Sequence, residues 1–146
     1  MKETNMDGTS QDKRAIIRAA LDARRNSYVP YSHYRVGAAL LTKSGQIYTG
    51  CNVENASYGA ANCAERTAFF KAVSEGERSF AAIAIAGGLE GQEIADYAYP
   101  CGICRQVMQE FCGPEFKIIV VRSQEDYREY TLEQLLPWGF GGDSIR

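Results

Sequence analysis

Apolar residues recur at helical spacing early in the chain and switch to strand spacing soon after. Ile16, Ile17, Ala20 and Leu21 share one stripe of a 3.6-residue period, which predicts a helix over 12–26. The run Tyr28-Val29-Pro30-Tyr31-Ser32 interrupts it, because proline drives the preceding residue out of helical backbone. Two alternating runs follow, 34–42 and 46–53. Their link, Lys43-Ser44-Gly45, is short and contains glycine, so they form an antiparallel hairpin. In the second run, period two puts Ile47, Thr49, Cys51 and Val53 on one face, with Asn52 and Glu54 on the other.

A second helix is predicted over 63–74, with Ala64, Ala68, Phe69, Ala72 and Val73 as its apolar face. A strand of small residues, 81–86, runs into Gly87-Gly88, and 88–99 reads as a loop. Pro100 suits the first turn of a third helix, 100–111. Strands at 117–122 and 127–131, a short helix at 131–136 stopped by Pro137, and a glycine-rich tail over 139–146 complete the chain. The link 123–126 is too short for a parallel crossover, so the last two strands are antiparallel if they pair. Earlier strand–helix–strand links are long enough for parallel pairing. The expected fold class is α/β, a three-layer α/β/α arrangement around a mixed five-stranded sheet. It is organised as a disordered lead-in, residues 1–10, and one domain, 11–146.

Composition narrows the function. The 146 residues are 45% hydrophobic, enough for one domain with a real core. A net charge of −2 without a basic stripe disfavours nucleic acid as the main partner. Residues 1–9 are polar, with no signal-peptide h-region, and no apolar run reaches membrane-spanning length. A cytoplasmic protein with no membrane partner is the expectation. The five cysteines are odd in number, which speaks against a disulfide framework.

Three of them cluster with a carboxylate. Cys63-Ala64-Glu65 begins one helix, and Pro100-Cys101-Gly102-Ile103-Cys104 begins another. Side chains lean toward a helix N-terminus, so Cys63, Cys101 and Cys104 can converge on one metal ion between two helix ends. A structural zinc closes its shell with four protein ligands, whereas a catalytic zinc keeps three and leaves a place for water. Cys51 and Cys112 read as packing residues, which leaves that place open. Glu65 is a hard oxygen among soft sulfurs and suits proton transfer better than coordination. Three thiolates overload the ion with negative charge. At least one of Arg66 and Arg105, which directly follow motif residues, is therefore expected to donate to the sulfurs. A CxxC pair by itself is equally compatible with a redox dithiol; the third cysteine and the glutamate favour metal.

Five ordered motifs now resemble one family. They are Tyr34-Arg35-Val36-Gly37-Ala38-Ala39-Leu40, Gly50-Cys51-Asn52-Val53-Glu54-Asn55, Cys63-Ala64-Glu65-Arg66-Thr67-Ala68, Pro100-Cys101-Gly102-Ile103-Cys104-Arg105-Gln106 and Leu135-Leu136-Pro137-Trp138-Gly139-Phe140. They are similar to the small homotetrameric cytidine deaminases of the free-nucleoside type, from about residue 12 to 140. The resemblance implies one zinc per chain on Cys63, Cys101 and Cys104, whose hydroxide attacks C4 of cytosine, with Glu65 as proton carrier. The product is uridine or 2′-deoxyuridine plus ammonia, a step of pyrimidine salvage. It also implies that Asn52 and Glu54 bind the ribose hydroxyls and that the Ala64 backbone touches the base edge. Tyr34 stands where the family usually has phenylalanine near the pyrimidine. Phe140 matches an aromatic that closes a neighbouring subunit's site, and Tyr58 a subunit contact. A polynucleotide cytosine deaminase and a non-catalytic structural zinc module are the alternatives. The first is disfavoured by the acidic charge and the short final hairpin, the second because it gives Glu65 no role.

Overall fold

The computed structural model describes residues 3–145, with side chains described from Gln11 onward. Its strands are β1 (Tyr34–Thr42), β2 (Ile47–Cys51), β3 (Phe80–Leu89), β4 (Lys117–Val121) and β5 (Tyr127–Thr131). They form one sheet in the order β2-β1-β3-β4-β5. β1 pairs antiparallel with both β2 and β3, β3 pairs parallel with β4, and β4 pairs antiparallel with β5. The sheet is mixed, and the two short links make the two hairpins that their lengths require.

Alternation along the strands sorts the core into two layers. Ala38, Leu40, Ile83, Ile85, Ile118 and Val120 pack with Ala68, Phe69 and Ala72 of α2 (Ala64–Ser74) and Met108 of α3 (Gly102–Phe111). Ala39, Leu41, Ala82, Ala84, Ala86, Ile119 and Val121 pack with Ile16, Ile17 and Ala20 of α1 (Glu3–Ala23). Helices therefore cover both faces, giving the expected three layers. A short α4 (Leu132–Leu135) is started by a Thr131/Gln134 capping box. Among the described residues no helix is long and apolar enough to cross a membrane.

Several boundaries differ from expectation, each for a local reason. α1 begins at Glu3, so residues 3–10 are helical where the sequence predicts a disordered lead-in; extending a nucleated helix adds one hydrogen bond per residue. Met1 and Lys2 lie outside the described residues. β2 ends at Cys51 instead of Val53, because the Asn52 side chain takes over the ladder to β1. Its Nδ2 donates to the Tyr34 carbonyl at 2.9 Å, and its Oδ1 accepts from Val36 N–H at 3.0 Å. β3 runs on through Gly87 and Gly88 to Leu89. The space a Cβ would need there is filled by Ala98, Tyr34 and Ile94, so these glycines serve close packing instead of ending the strand. Pro100 lies before α3, not within its first turn, since Cys101 takes the N-cap position. Cys51 is half-buried and belongs to neither core, as suits an edge strand.

One contact sets where α2 can lie. A Cβ on Gly50 would fall 2.4 Å from the Ala64 carbonyl oxygen and 2.5 Å from the Ala68 nitrogen. The backbone of α2 thus rests directly on β2 and carries Cys63 and Glu65 with it. Gly50→Ala is expected to lower unfolding free energy by about 1–3 kcal/mol in urea denaturation, the range of overpacking. Gly59→Ala, where a Cβ meets nothing within 4 Å, should change it by less than about 0.5 kcal/mol.

Candidate active site

Cys63 and Cys101 are the N-cap residues of α2 and α3, both with extended backbone, and Cys104 lies one turn into α3. The three sulfurs all lie within 4.8 Å of one another, with Cys63 and Cys101 Sγ 3.7 Å apart. Tetrahedral zinc with Zn–S bonds of about 2.3 Å requires sulfurs about 3.8 Å apart, so the donor set and its spacing fit the ion. Among the described residues no other cluster of three candidate ligand side chains closes in this way. Cys112 packs against the core, where burial pushes its thiol up to about 12. Neither it nor Cys51 joins the group.

Charge explains why these sulfurs need an ion. Hydrogen bonding from the Cys104 thiol, reinforced by Arg66, pulls Cys63 down to about 5. The same bond, together with burial and the neighbouring negative charges, pushes Cys104 well above the ordinary thiol range. One sulfur ionises at the expense of the next, and a cation removes that conflict. Arg66 Nη2 donates to Cys63 Sγ at 3.4 Å, as expected of a residue that draws charge off the thiolates. Its Nε is buried with no hydrogen-bond partner among the described residues. Arg105 does not share this role. Its Nε donates to the Pro100 carbonyl at 2.8 Å and its Nη1 to the Leu135 carbonyl at 2.6 Å, so it braces the turn into α3 instead.

Glu65, at the second position of α2, is only 4% exposed. Burial raises its pKa to about 7, with the Cys63 charge adding to the shift. A carboxyl poised near neutrality can both accept and return a proton at physiological pH.

The ligands open into a cavity of about 360 Å³. Tyr34, Asn52, Ala64 and Glu65, which the sequence reading assigns to substrate binding and proton transfer, line it. Asn52 keeps one N–H and one lone pair free after its bonds to β1. Glu54 does not line the cavity. Its carboxylate accepts from the Tyr31 and Ser32 N–H groups and from the Ser32 hydroxyl, bonds that hold its pKa below the usual range and fix loop 30–33. Phe140 is 59% exposed, with its carbonyl bonded by Gln106. It too is absent from this chain's cavity. Val36 and Ile85 supply sheet residues to the lining, and Tyr97, Ala98 and Tyr99 supply a wall. Sequence reading passes over that wall as a loop; two tyrosines just ahead of the Pro-Cys motif are its only signal.

Two outcomes follow from these charges. Arg66→Ala should weaken zinc binding about 10–100-fold in chelator competition, the usual effect of losing a group that supports a ligand. Glu65 in the folded chain holds a proton that the unfolded chain releases near 4.5. The part of the zinc-stripped protein's stability that Glu65 contributes should therefore be lost as pH rises from about 4.5 to about 7 and stay lost above. Glu65→Gln removes that loss. Its advantage over the wild type in urea denaturation should grow across the same window, to on the order of 3 kcal/mol.

With this geometry in hand, known proteins provide the comparison. The family model for the cytidine and deoxycytidylate deaminase zinc-binding region matches residues 10–120. A cytidine deaminase of Sporosarcina psychrophila is 46% identical over 134 residues, covering 92% of this chain and 95% of the relative. A cytidine deaminase of Mycobacterium tuberculosis is 40% identical over 126 residues, covering 86% of this chain and 87% of the relative. The crystal structure of cytidine deaminase from Burkholderia pseudomallei superposes with a TM-score of 0.79 at 48% identity, covering 86% of this chain and 97% of that one. A family match across most of the chain, relatives alike almost end to end, and three convergent cysteines lead to one conclusion: this chain belongs to the cytidine deaminase family and is a zinc-dependent hydrolytic deaminase.

Proposed function

We propose that the protein hydrolyses free cytidine and 2′-deoxycytidine to uridine and 2′-deoxyuridine with release of ammonia, as a cytoplasmic enzyme of pyrimidine salvage. The observation that carries this reading is the buried Glu65 beside three convergent cysteines at the end of a cavity of nucleobase size. Zinc held by Cys63, Cys101 and Cys104 supplies the Lewis acidity that ionises water near neutral pH. Glu65 does the proton work: it takes a proton from the water, gives one to N3, and carries one to the departing amino group. The C4–N bond breaks, a C4 carbonyl forms, and water supplies its oxygen. The Ala64 N–H donates to the base edge; its position at the start of α2, where backbone N–H groups have no partner within the helix, supports this. The Tyr34 ring lines the cavity for packing against the pyrimidine, while Asn52 meets the ribose hydroxyls from the lining and Glu54 meets them from beside it, with the lone pair its loop bonds leave on Oε2.

The free-nucleoside form of the reaction agrees with the −2 charge and with the antiparallel β4–β5 hairpin. A structural zinc module would need a fourth protein ligand, and the described residues offer none in the cluster. Assembly as a homotetramer with shared active sites accounts for Phe140 and Tyr58, which are 59% and 84% exposed in the single chain. There Phe140 closes a neighbour's cavity.

The test is ammonia release from cytidine and deoxycytidine by purified protein. Glu65→Ala should lower kcat/KM at least about 10²–10⁴-fold while zinc content stays at one per chain. Light scattering on the same active preparation should give four times the chain mass. No activity of the wild type on either nucleoside would sink the reading, and an active monomer would remove the shared site.

A further inference from the structure

The cavity wall at Tyr97, Ala98 and Tyr99 is held in an unusual way. Among the described residues, 93–99 make no backbone–backbone hydrogen bond. Ala98 packs on Gly87 of β3, and the two tyrosines are held from outside the cavity by β5 and the turn before it, where Arg122 also lies 5.7 Å from the Tyr97 ring centroid. The Arg128 guanidinium carbon lies 4.4 Å from the Tyr97 ring centroid. The Tyr97 hydroxyl donates to Asp126 Oδ1 at 2.5 Å. The Tyr99 and Tyr130 hydroxyls share a hydrogen bond of 2.8 Å, and their rings meet edge-on at 5.6 Å. The Tyr99 and Tyr130 hydroxyls beside it also raise the pKa of Arg128, so the guanidinium faces both tyrosines of the wall.

The place of this wall says which part of a substrate it meets. It runs through Pro100 directly into Cys101, on the α3 side of the cavity, whereas Ala64 and Glu65 stand on the α2 side. On the deaminase reading above, C4 of cytosine faces the cysteines and N3 turns to Glu65. C5 is the ring atom on the other flank of C4, so it faces the wall. We propose that Arg128 is a positioning residue which, with Tyr130, clamps the Tyr97–Tyr99 wall and thereby sets how closely the site fits the C5 edge of the base. Arg128 does not line the cavity and acts only through the two tyrosines. The planar shape of the group counts beside its charge, because a guanidinium can lie flat on an aromatic face and an ammonium cannot.

The test compares cytidine with 5-methylcytidine on the zinc-loaded wild type, Arg128→Ala and Arg128→Lys. Arg128→Ala should raise the KM for cytidine about two- to fivefold, as expected from losing a cation–π contact at an exposed position. Its kcat should stay within about twofold, the pattern of lost binding without lost chemistry. The kcat/KM ratio of 5-methylcytidine to cytidine should rise as the wall loosens, and Arg128→Lys should fall between wild type and Arg128→Ala. Unchanged KM and unchanged ratio would overturn the clamp. So would a loss of kcat that follows lost zinc or a lowered melting temperature. A wild type inactive on cytidine overturns the functional reading beneath it; an active wild type with an indifferent Arg128→Ala overturns the clamp alone.

Discussion

Everything at the centre of this protein answers to a repulsion. Three sulfurs within 4.8 Å cannot all carry charge in a half-buried site unless a cation sits among them. The surrounding fold is arranged to make that concentration of negative charge tolerable. Two helix N-termini point their unpaired N–H groups at the cluster, and Arg66 adds a formal positive charge against Cys63. Glu65 lies in the same field but is desolvated, so it stays close to its own titration point instead of adding a further fixed anion.

Holding two helix ends together demands precision from the scaffold. α2 is set by contact with β2 at Gly50, where no side chain intervenes. α3 is set differently, by Arg105 reaching the Pro100 and Leu135 carbonyls and by the Cys101 sulfur accepting from Cys104 N–H. One helix is thus fixed by steric closeness and the other by hydrogen bonds. Between them the mixed sheet supplies a floor, with Val36 and Ile85 reaching the cavity.

Much of this is legible in the chain because its parts obey local rules. Period-two alternation places Asn52 opposite Cys51, and helix-start spacing brings Cys63 and Cys101 to the same end of their helices. What is not legible depends on partners far away in sequence. Arg105 and Arg66 look alike as residues that follow a motif, yet Arg105 is claimed by a carbonyl thirty positions downstream. Glu54 shares the face of Asn52, but two loop N–H groups capture its carboxylate. Tyr97 and Tyr99 have no periodicity to reveal them, since the side chains that hold them lie in β5 and the turn before it. The start of α1 is hidden for the opposite reason: a polar helix extension without an apolar stripe has no pattern to detect.

The wall and the metal site share one stretch of backbone. Tyr99, Pro100 and Cys101 are consecutive, so the cavity wall and a cysteine of the candidate metal cluster are two peptide bonds apart. An inserted residue there would move both at once. Upstream, between Glu90 and Asp96, the chain is an exposed or half-exposed loop outside the sheet, where added length is tolerated far better. Changes in loop length among descendants of this chain are therefore confined to the approach. The last few residues before the cysteine can diversify only by substitution.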